Sequence, residues 1–527
     1  MKKYLFLAVA ALGLAACAEK GLDNNGPANN GELEQSYVAI TLAADDMATK
    51  VGTNPGGVYA EGTEDERAVS CAYVFFFKDE DAFPVAFDGT TSTNAGPNNY
   101  LQVNLTTVDS DMPNVSDVKD AVLVLQNYKG EYPNQIVAVL NWDPTGKGSY
   151  SLSELKTQIS QLGSDSQGYV MSNSVYANAN SDVIEAVDLK LNNIAKTKED
   201  ALANPITIHV ERIAAKVVFT AKDSGRFLIE KEIDSTPLYA QITGFELYND
   251  YQESWLIKRI DPAWNAIGFA WNDADWCRSY WAKSLGTAFA NNEFAHSDDN
   301  IALGGHVYCG ENTNRDAEDR TKVIVKAQIQ DAAGNPVEVA NWYGNDYSGE
   351  VKLRTVVANT IKNTYYYSAD AINYIGIEPA DLKCQTKNVT DPKAYEVYFQ
   401  LATETGVGTD KNWYVKNGDG TFTAIEDDAL NTELAKIQPA LVYKGGNTYY
   451  YTDIKHLGAP SSVTEYGVVR NHVYKVNISD ITGYGTPIYD PSMEFITPES
   501  PEDIVSYVAA QIKILSWRVV AGDYPLM

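Results

Sequence analysis

Positive charge is what this sequence is short of: 41 Lys and Arg stand against 70 Asp and Glu in 527 residues, a formal net charge of -29. A surface of that sign repels phosphate backbones, so nucleic acid is a poor partner. Cysteine is also scarce. Beyond Cys17 the chain has Cys71, Cys277, Cys309 and Cys384, with no C-x-x-C spacing and too few to staple so long a chain. Three disulfide pairings remain formally open in an oxidising compartment, but buried free thiols are expected. The five histidines, His209, His296, His306, His456 and His472, are too dispersed for a zinc pattern, and no G-x-S-x-G elbow or Walker loop occurs. No enzyme, metal or cofactor is expected. What the chain does have is Tyr, 34 residues of it, among short blocks of Val, Ile and Thr, with 44% apolar residues overall. That composition points to a mainly β protein with real cores, and the length points to more than one domain.

Behind Met1-Lys2-Lys3, an apolar run from Tyr4 to Leu14 is too short to span a bilayer and has the form of a secretion signal. It ends Leu14-Ala15-Ala16-Cys17, which resembles the bacterial lipobox. Cys17 is therefore the expected lipidation site, its acyl chains (palmitate among them) tying a precursor to the outer membrane. No later apolar stretch reaches the ~18 residues of a membrane helix. Residues 17–35 are a Gly-, Asn- and acid-rich tether. In Tyr37-Val38-Ala39-Ile40-Thr41-Leu42, Val38, Ile40 and Leu42 share one face of a half-buried strand. A Gly- and acid-rich loop follows, with Lys50 at its start and Arg67 near its end, where proteases would cut.

Apolar blocks at 69–77 and 136–142 read as strands buried on both faces. Ser151 and Glu154 fit a capping box opening a helix with the stripe Leu152, Leu155, Ile159 and Leu162, closed by Gly163. Alternation resumes at 206–212 and runs into 215–219, which places a domain boundary near residue 205. Asn417-Gly418-Asp419-Gly420 and Lys444-Gly445-Gly446-Asn447 carry hairpin chemistry, with positive φ expected at the glycines. After a Pro- and acid-rich linker at 491–501, residues 505–520 alternate again. Val508, Ala510, Ile512 and Ile514 share one face, then the phase flips to Leu515, Trp517 and Val519, which requires a bulge, a bend or a new partner sheet.

Five segments occur in order behind the lipobox: 36–42; Val210-Glu211-Arg212-Ile213-Ala214-Ala215-Lys216-Val217; Tyr308-Cys309-Gly310-Glu311-Asn312-Thr313; Tyr466-Gly467-Val468-Val469-Arg470-Asn471-His472-Val473-Tyr474, running on to Gly485-Thr486-Pro487; and the tail with Trp517. Together they resemble the Bacteroidota fimbrillins, or type V pilins, most closely the shaft subunit of the short (minor) fimbria. The resemblance implies two transthyretin-like Greek-key β-sandwich domains with short helical insertions, at 36–204 and 205–490, then a linker and donor-strand tail at 491–527. It also implies export as an outer-membrane lipoprotein and protease-triggered donor-strand exchange into a surface fimbrium (pilus) for cell adhesion, biofilm formation and virulence. By position, the removable strand is 36–47, with Tyr37, Val38, Ile40 and Leu42. A surface trypsin-like protease would cut after Lys50, where the family has Arg, or else after Arg67. The donor strand would use Val508, Ala510, Ile512, Ile514, Leu515, Trp517 and Val519. The implied partners are copies of the chain itself, anchor and tip subunits, the protease, and an adhesion target that the sequence does not identify.

A different class of function hangs on Trp255, Trp264, Trp271, Trp276 and Trp281. Exposed, these rings would stack on sugars and make the chain a surface glycan-binding lipoprotein; buried, they pack a large insertion.

Overall fold

Strands carry the fold, in keeping with the composition. The structure, a computed structural model, describes residues 34–45, 62–84, 98–103, 105–108, 115–127, 131–164, 166–177, 183–260, 282–285, 300–313, 316–402, 411–456, 465–493, 507–516 and 519–520. Cys17, Lys50, Cys277, Trp517 and the clustered Trp264, Trp271, Trp276 and Trp281 lie outside the described residues. Among the described residues no helix is long and apolar enough to cross a membrane.

The first sheet runs Asp81–Ala82, Ala72–Lys78, Gln135–Leu140, Met171–Asn173, Ile206–Arg212, Glu34–Asp45, Val115–Asn127 and Thr106–Val108, in spatial order. Val38 and Ile40 from one half of that order share a core with Val74, Phe76, Ile136 and Ala138 from the other, so the sheet curls around its own interior. Ala72–Lys78 and Gln135–Leu140 also bury their outer face: Phe75, Phe77, Val137 and Val139 pack on Tyr100, Tyr150, Leu152 and Leu155. Burial on both sides explains the unbroken apolar runs, each large side chain contributing about 1.5–3 kcal/mol.

Ser151 and Glu154 do form the capping box, but the helix stops at Lys156. Thr157 closes it by donating its hydroxyl to the Glu154 carbonyl at 2.8 Å. Ile159–Gln161 then pairs with Glu253–Trp255, which leaves Ile159 45% exposed rather than on a helical stripe. Tertiary pairing overrides the local pattern here. The sheet changes between Arg212 and Ala215 rather than near 205, because Ile206–Arg212 is the parallel neighbour of the first strand while Ala215–Ala221 enters the second sandwich.

That sandwich packs one sheet (His306–Cys309, Ala215–Ala221, His472–Thr482, Tyr507–Ser516, Val519–Val520) on another (Arg226–Ile233, Thr236–Tyr248, Lys322–Gln330, Asn447–Asp453, Thr486–Pro487). Phe219, Tyr474 and Val476 from the first meet Phe245, Val325 and Ile329 from the second. Between Gln330 and Asn447 lies a unit with its own core, in which Leu353 and Val357 of the helix Gly349–Ile361 pack with Trp342, Phe399, Trp413 and Leu430. Of the hairpin glycines, Gly420, Gly445 and Gly446 take positive φ and Gly418 does not. Cys71, Cys309 and Cys384 are free thiols, the first half-buried and the others buried. Burial pushes Cys384 up to about 12.

Candidate assembly site

The first strand, Glu34–Asp45, sits inside its sheet rather than at an edge. On one side it runs antiparallel to Val115–Asn127, from Glu34 opposite Asn127 to Ala44 opposite Asp117. On the other it runs parallel to Ile206–Arg212, from Ile40 opposite Ile206 to Ala44 opposite Val210. Ahead of that pairing, Tyr37 exchanges two backbone bonds with Ala195, at 2.8 and 2.9 Å. Val38 and Ile40 are buried, as their alternation suggests, with Ser36 on the same face, and Ala39 on the opposite face is buried too, so both faces of the strand are covered. Taken away, it would leave two facing strand edges and uncover Leu123, Leu125 and Ile208, a slot one strand wide.

The tail strand, Tyr507–Ser516, is differently placed. It runs antiparallel to His472–Thr482, with Ile514 opposite Tyr474, Ile512 opposite Val476 and Ala510 opposite Ile478; a bulge follows before Val508 faces Ile481. Among the described residues its other side pairs with Val519–Val520, with Leu515 opposite Val519. In both sandwiches the entering strand lies parallel to the leaving one: Glu34–Asp45 to Ile206–Arg212, and Ala215–Ala221 to His472–Thr482. Across the leaving strand the first sheet has Met171–Asn173, antiparallel, and the second has the tail.

The tail's root is tied to the inserted unit. The Tyr489 hydroxyl lies 3.2 Å from both Glu350 Oε2 and the Cys384 carbonyl. Lys444 also binds Glu350 at 2.7 Å; burial alone would lower the ammonium's pKa, but Glu350, with Glu338 and Cys384, holds it above the usual lysine value.

Arg67 ends a one-turn helix, Glu64–Arg67, capped by Thr63. Its neighbour Glu66 is buried, receiving Lys216 Nζ at 2.6 Å and the Tyr308 hydroxyl. Burial alone would raise this carboxyl, but the bonds from Lys216, Tyr308 and the Thr63 amide together hold it below the usual glutamate value. Tyr308 is pushed up by burial and by Glu66. A second buried pair, Arg470 with Glu311 at 2.6 Å, also holds Ser254 Oγ and the Trp255 carbonyl. Pairing arithmetic in the sequence misses both pairs. Their partners nonetheless lie in the quoted segments 210–217, 308–313 and 466–474, which the fold brings to the junction between the sandwiches. There Asn471 donates its amide to the Ala214 carbonyl at 2.7 Å, and Asn312 and Val468 exchange backbone bonds. His472 is buried with Nδ1 2.7 Å from the Arg470 carbonyl oxygen. No group of three or more His, Cys, Asp or Glu among the described residues is placed to hold a metal ion.

Residues 441–523 match the family model of the major fimbrial subunit protein type IV, fimbrillin, C-terminal. The matched stretch contains His472–Thr482, the tail's root and the tail strand. A solved structure from Parabacteroides distasonis, of a candidate cell adhesion protein, is similar over 93% of this chain and 97% of its own, at 13% identity and a TM-score of 0.34. No curated protein matches the chain.

Proposed function

We propose that this chain is a structural subunit of a cell-surface fimbrium, of the short-fimbria shaft type, with no catalytic role. The observation that carries the reading is the fimbrillin C-terminal match over the segment that holds the tail strand. On this reading the precursor is exported, lipidated at Cys17 and held at the outer membrane. A trypsin-like surface protease cuts after Lys50 or Arg67, the first strand leaves, and the tail of another copy enters its slot. The physics favours the exchange. A slot lined by two strand edges offers hydrogen bonds on both sides, where the tail at home has a full partner on one side only. Each copy donates at one end and accepts at the other, so growth is head to tail, in company with anchor and tip subunits.

Truncation from Ser506 to Met527 tests the reading. The truncated chain is expected to be exported and folded but to give monomer where the full chain gives heat- and detergent-resistant ladders on gels. Ladders that survive the truncation would overturn the reading.

A further inference from the structure

We infer that Glu66 determines where this chain can be cut, by clasping the Thr63–Arg67 turn onto the junction of the two sandwiches and so withholding the Arg67–Ala68 bond from trypsin-like proteases. A protease of that kind must draw several residues on either side of the scissile bond into an extended conformation, so what matters is how firmly the neighbouring backbone is tied down. Arg67 lies in a loop-like sequence with a partly accessible side chain, and by sequence alone it is a good substrate. Its backbone is tied on both sides.

Upstream, Glu66 Oε2 accepts from the Thr63 amide at 2.8 Å, and Thr63 Oγ1 accepts from the Glu66 amide at 3.2 Å. Glu66 Oε1 takes Lys216 Nζ at 2.6 Å and the Tyr308 hydroxyl, while the Glu66 carbonyl takes Arg212 Nε at 2.6 Å. These partners belong to three strands: Arg212 to the last of the first sandwich, and Lys216 and Tyr308 to two of the second. Downstream, the Ala68 amide donates to the Asp65 carbonyl at 3.2 Å and the Ala68 carbonyl accepts from Asn141 Nδ2 at 2.8 Å. Gly168 closes over this point, for a Cβ there would come within 2.7 Å of the Ala68 carbonyl oxygen.

The clasp bears on the proposed assembly, and this consequence rests on that reading. A cut after Arg67 would put Glu66 on the departing piece, so the first strand could leave only by breaking the ion pair and leaving Lys216 without it. A cut after Lys50 leaves the clasp on the body, still joining the two sandwiches. Glu66 therefore directs processing to the upstream site.

The protection is read on the unassembled full-length chain, where polymerisation plays no part, by limited trypsin digestion with mass spectrometry of the new N-termini. In the folded wild type, products beginning at Ala68 are expected to form at least tenfold more slowly than products of cuts upstream of Gly62. Glu66→Gln and Lys216→Met should raise cleavage after Arg67 at least tenfold, Tyr308→Phe should raise it severalfold, and Lys216→Arg should restore protection. Near-UV circular dichroism identifies the variants that remain folded, and Tyr308→Phe, which removes one hydroxyl, serves if the charge variants do not. Ready appearance of Ala68 N-termini from folded wild type would overturn the inference, as would folded variants that stay as resistant as wild type. Neither result bears on whether the tail polymerises, so failure here and failure of the fimbrial reading are separable.

Discussion

The strand that opens the first sheet and the long strand of the tail pair in opposite ways. Glu34–Asp45 lies between two strands and buries residues on both faces, whereas Tyr507–Ser516 has one long partner and a two-residue strand on its other side. A central strand is held by two ladders and two packed faces, so withdrawing it exposes polar backbone and apolar core together. An edge strand gives up one ladder when it leaves. Net hydrogen bonds of about 1 kcal/mol each then favour any site where the same strand can make two ladders. The two ends of the chain are thus unequal in what they would lose at home, and that inequality is what the proposed exchange would use.

The most severe test puts a charge into each strand in turn. Ile40→Asp places an unpaired carboxylate at a site that is 1% exposed, among Val74, Phe76 and Ile208, and should cost more than about 4 kcal/mol, enough to deny a folded precursor. Ile512→Asp in the tail, a strand with one long partner, should cost less than Ile40→Asp, yet abolish the detergent-resistant ladders. Thermal melts of the two purified variants decide it. If Ile512→Asp melts as early as Ile40→Asp, the tail is as deeply built in as the first strand and the contrast fails.

The contrast depends on the strand that carries the tail being firm, and the buried pair at its start is what fixes it. Arg470 is fully buried two residues before His472–Thr482, with Glu311 at 2.6 Å. Glu311→Gln leaves a buried guanidinium without its counter-charge and should cost about 3–5 kcal/mol, whereas Glu311→Leu together with Arg470→Met should cost less than either single change. Denaturant melts of all three variants measure this. A Glu311→Gln protein as stable as wild type would mean the pair does not hold the strand.

What could be read from the sequence follows the range of the forces involved. Blocks such as Ala72–Lys78 and Gln135–Leu140 announce themselves because burial on both faces confines the charged and amide side chains, Lys78 and Gln135, to one end of each run. The Val38 and Ile40 face of the first strand was visible as alternation, but the burial of Ala39 was not, since what covers the second face comes from elsewhere in the chain. Ile159 fitted a helical stripe and became a strand because Glu253–Trp255, far along the chain, pairs with it. The junction shows the limit most clearly. Glu66 meets Lys216 across 150 residues and Arg470 meets Glu311 across 159, and no periodicity links positions so far apart. Similarity to known segments pointed at 308–313 and 466–474 without giving the reason, which is that they meet. The unit between Gln330 and Asn447 is not legible in the sequence because its alternating strands look like those around it, and its separate core is what sets it apart.

The smallest effect is expected where the tail leaves the body. Tyr489 ties the root to the inserted unit through one hydroxyl, set between Glu350 and the Cys384 carbonyl, and just before it Ile488 donates its amide to the Asn447 carbonyl at 3.1 Å. Tyr489→Phe keeps the ring and removes the hydroxyl, a change of about 1 kcal/mol if the bond is made in the native state and lost in the opened one. Since opening free energies set amide exchange in the native protein, that amounts to about a fivefold rise in exchange at Ile488. Amides of the first strand, held by ladders that do not involve the root, should be unaffected. Hydrogen exchange with site resolution checks both at once. An equal rise at Tyr37 and Ile40 would mean that the two ends open together, and then the first strand could not leave while the tail's root stayed in place.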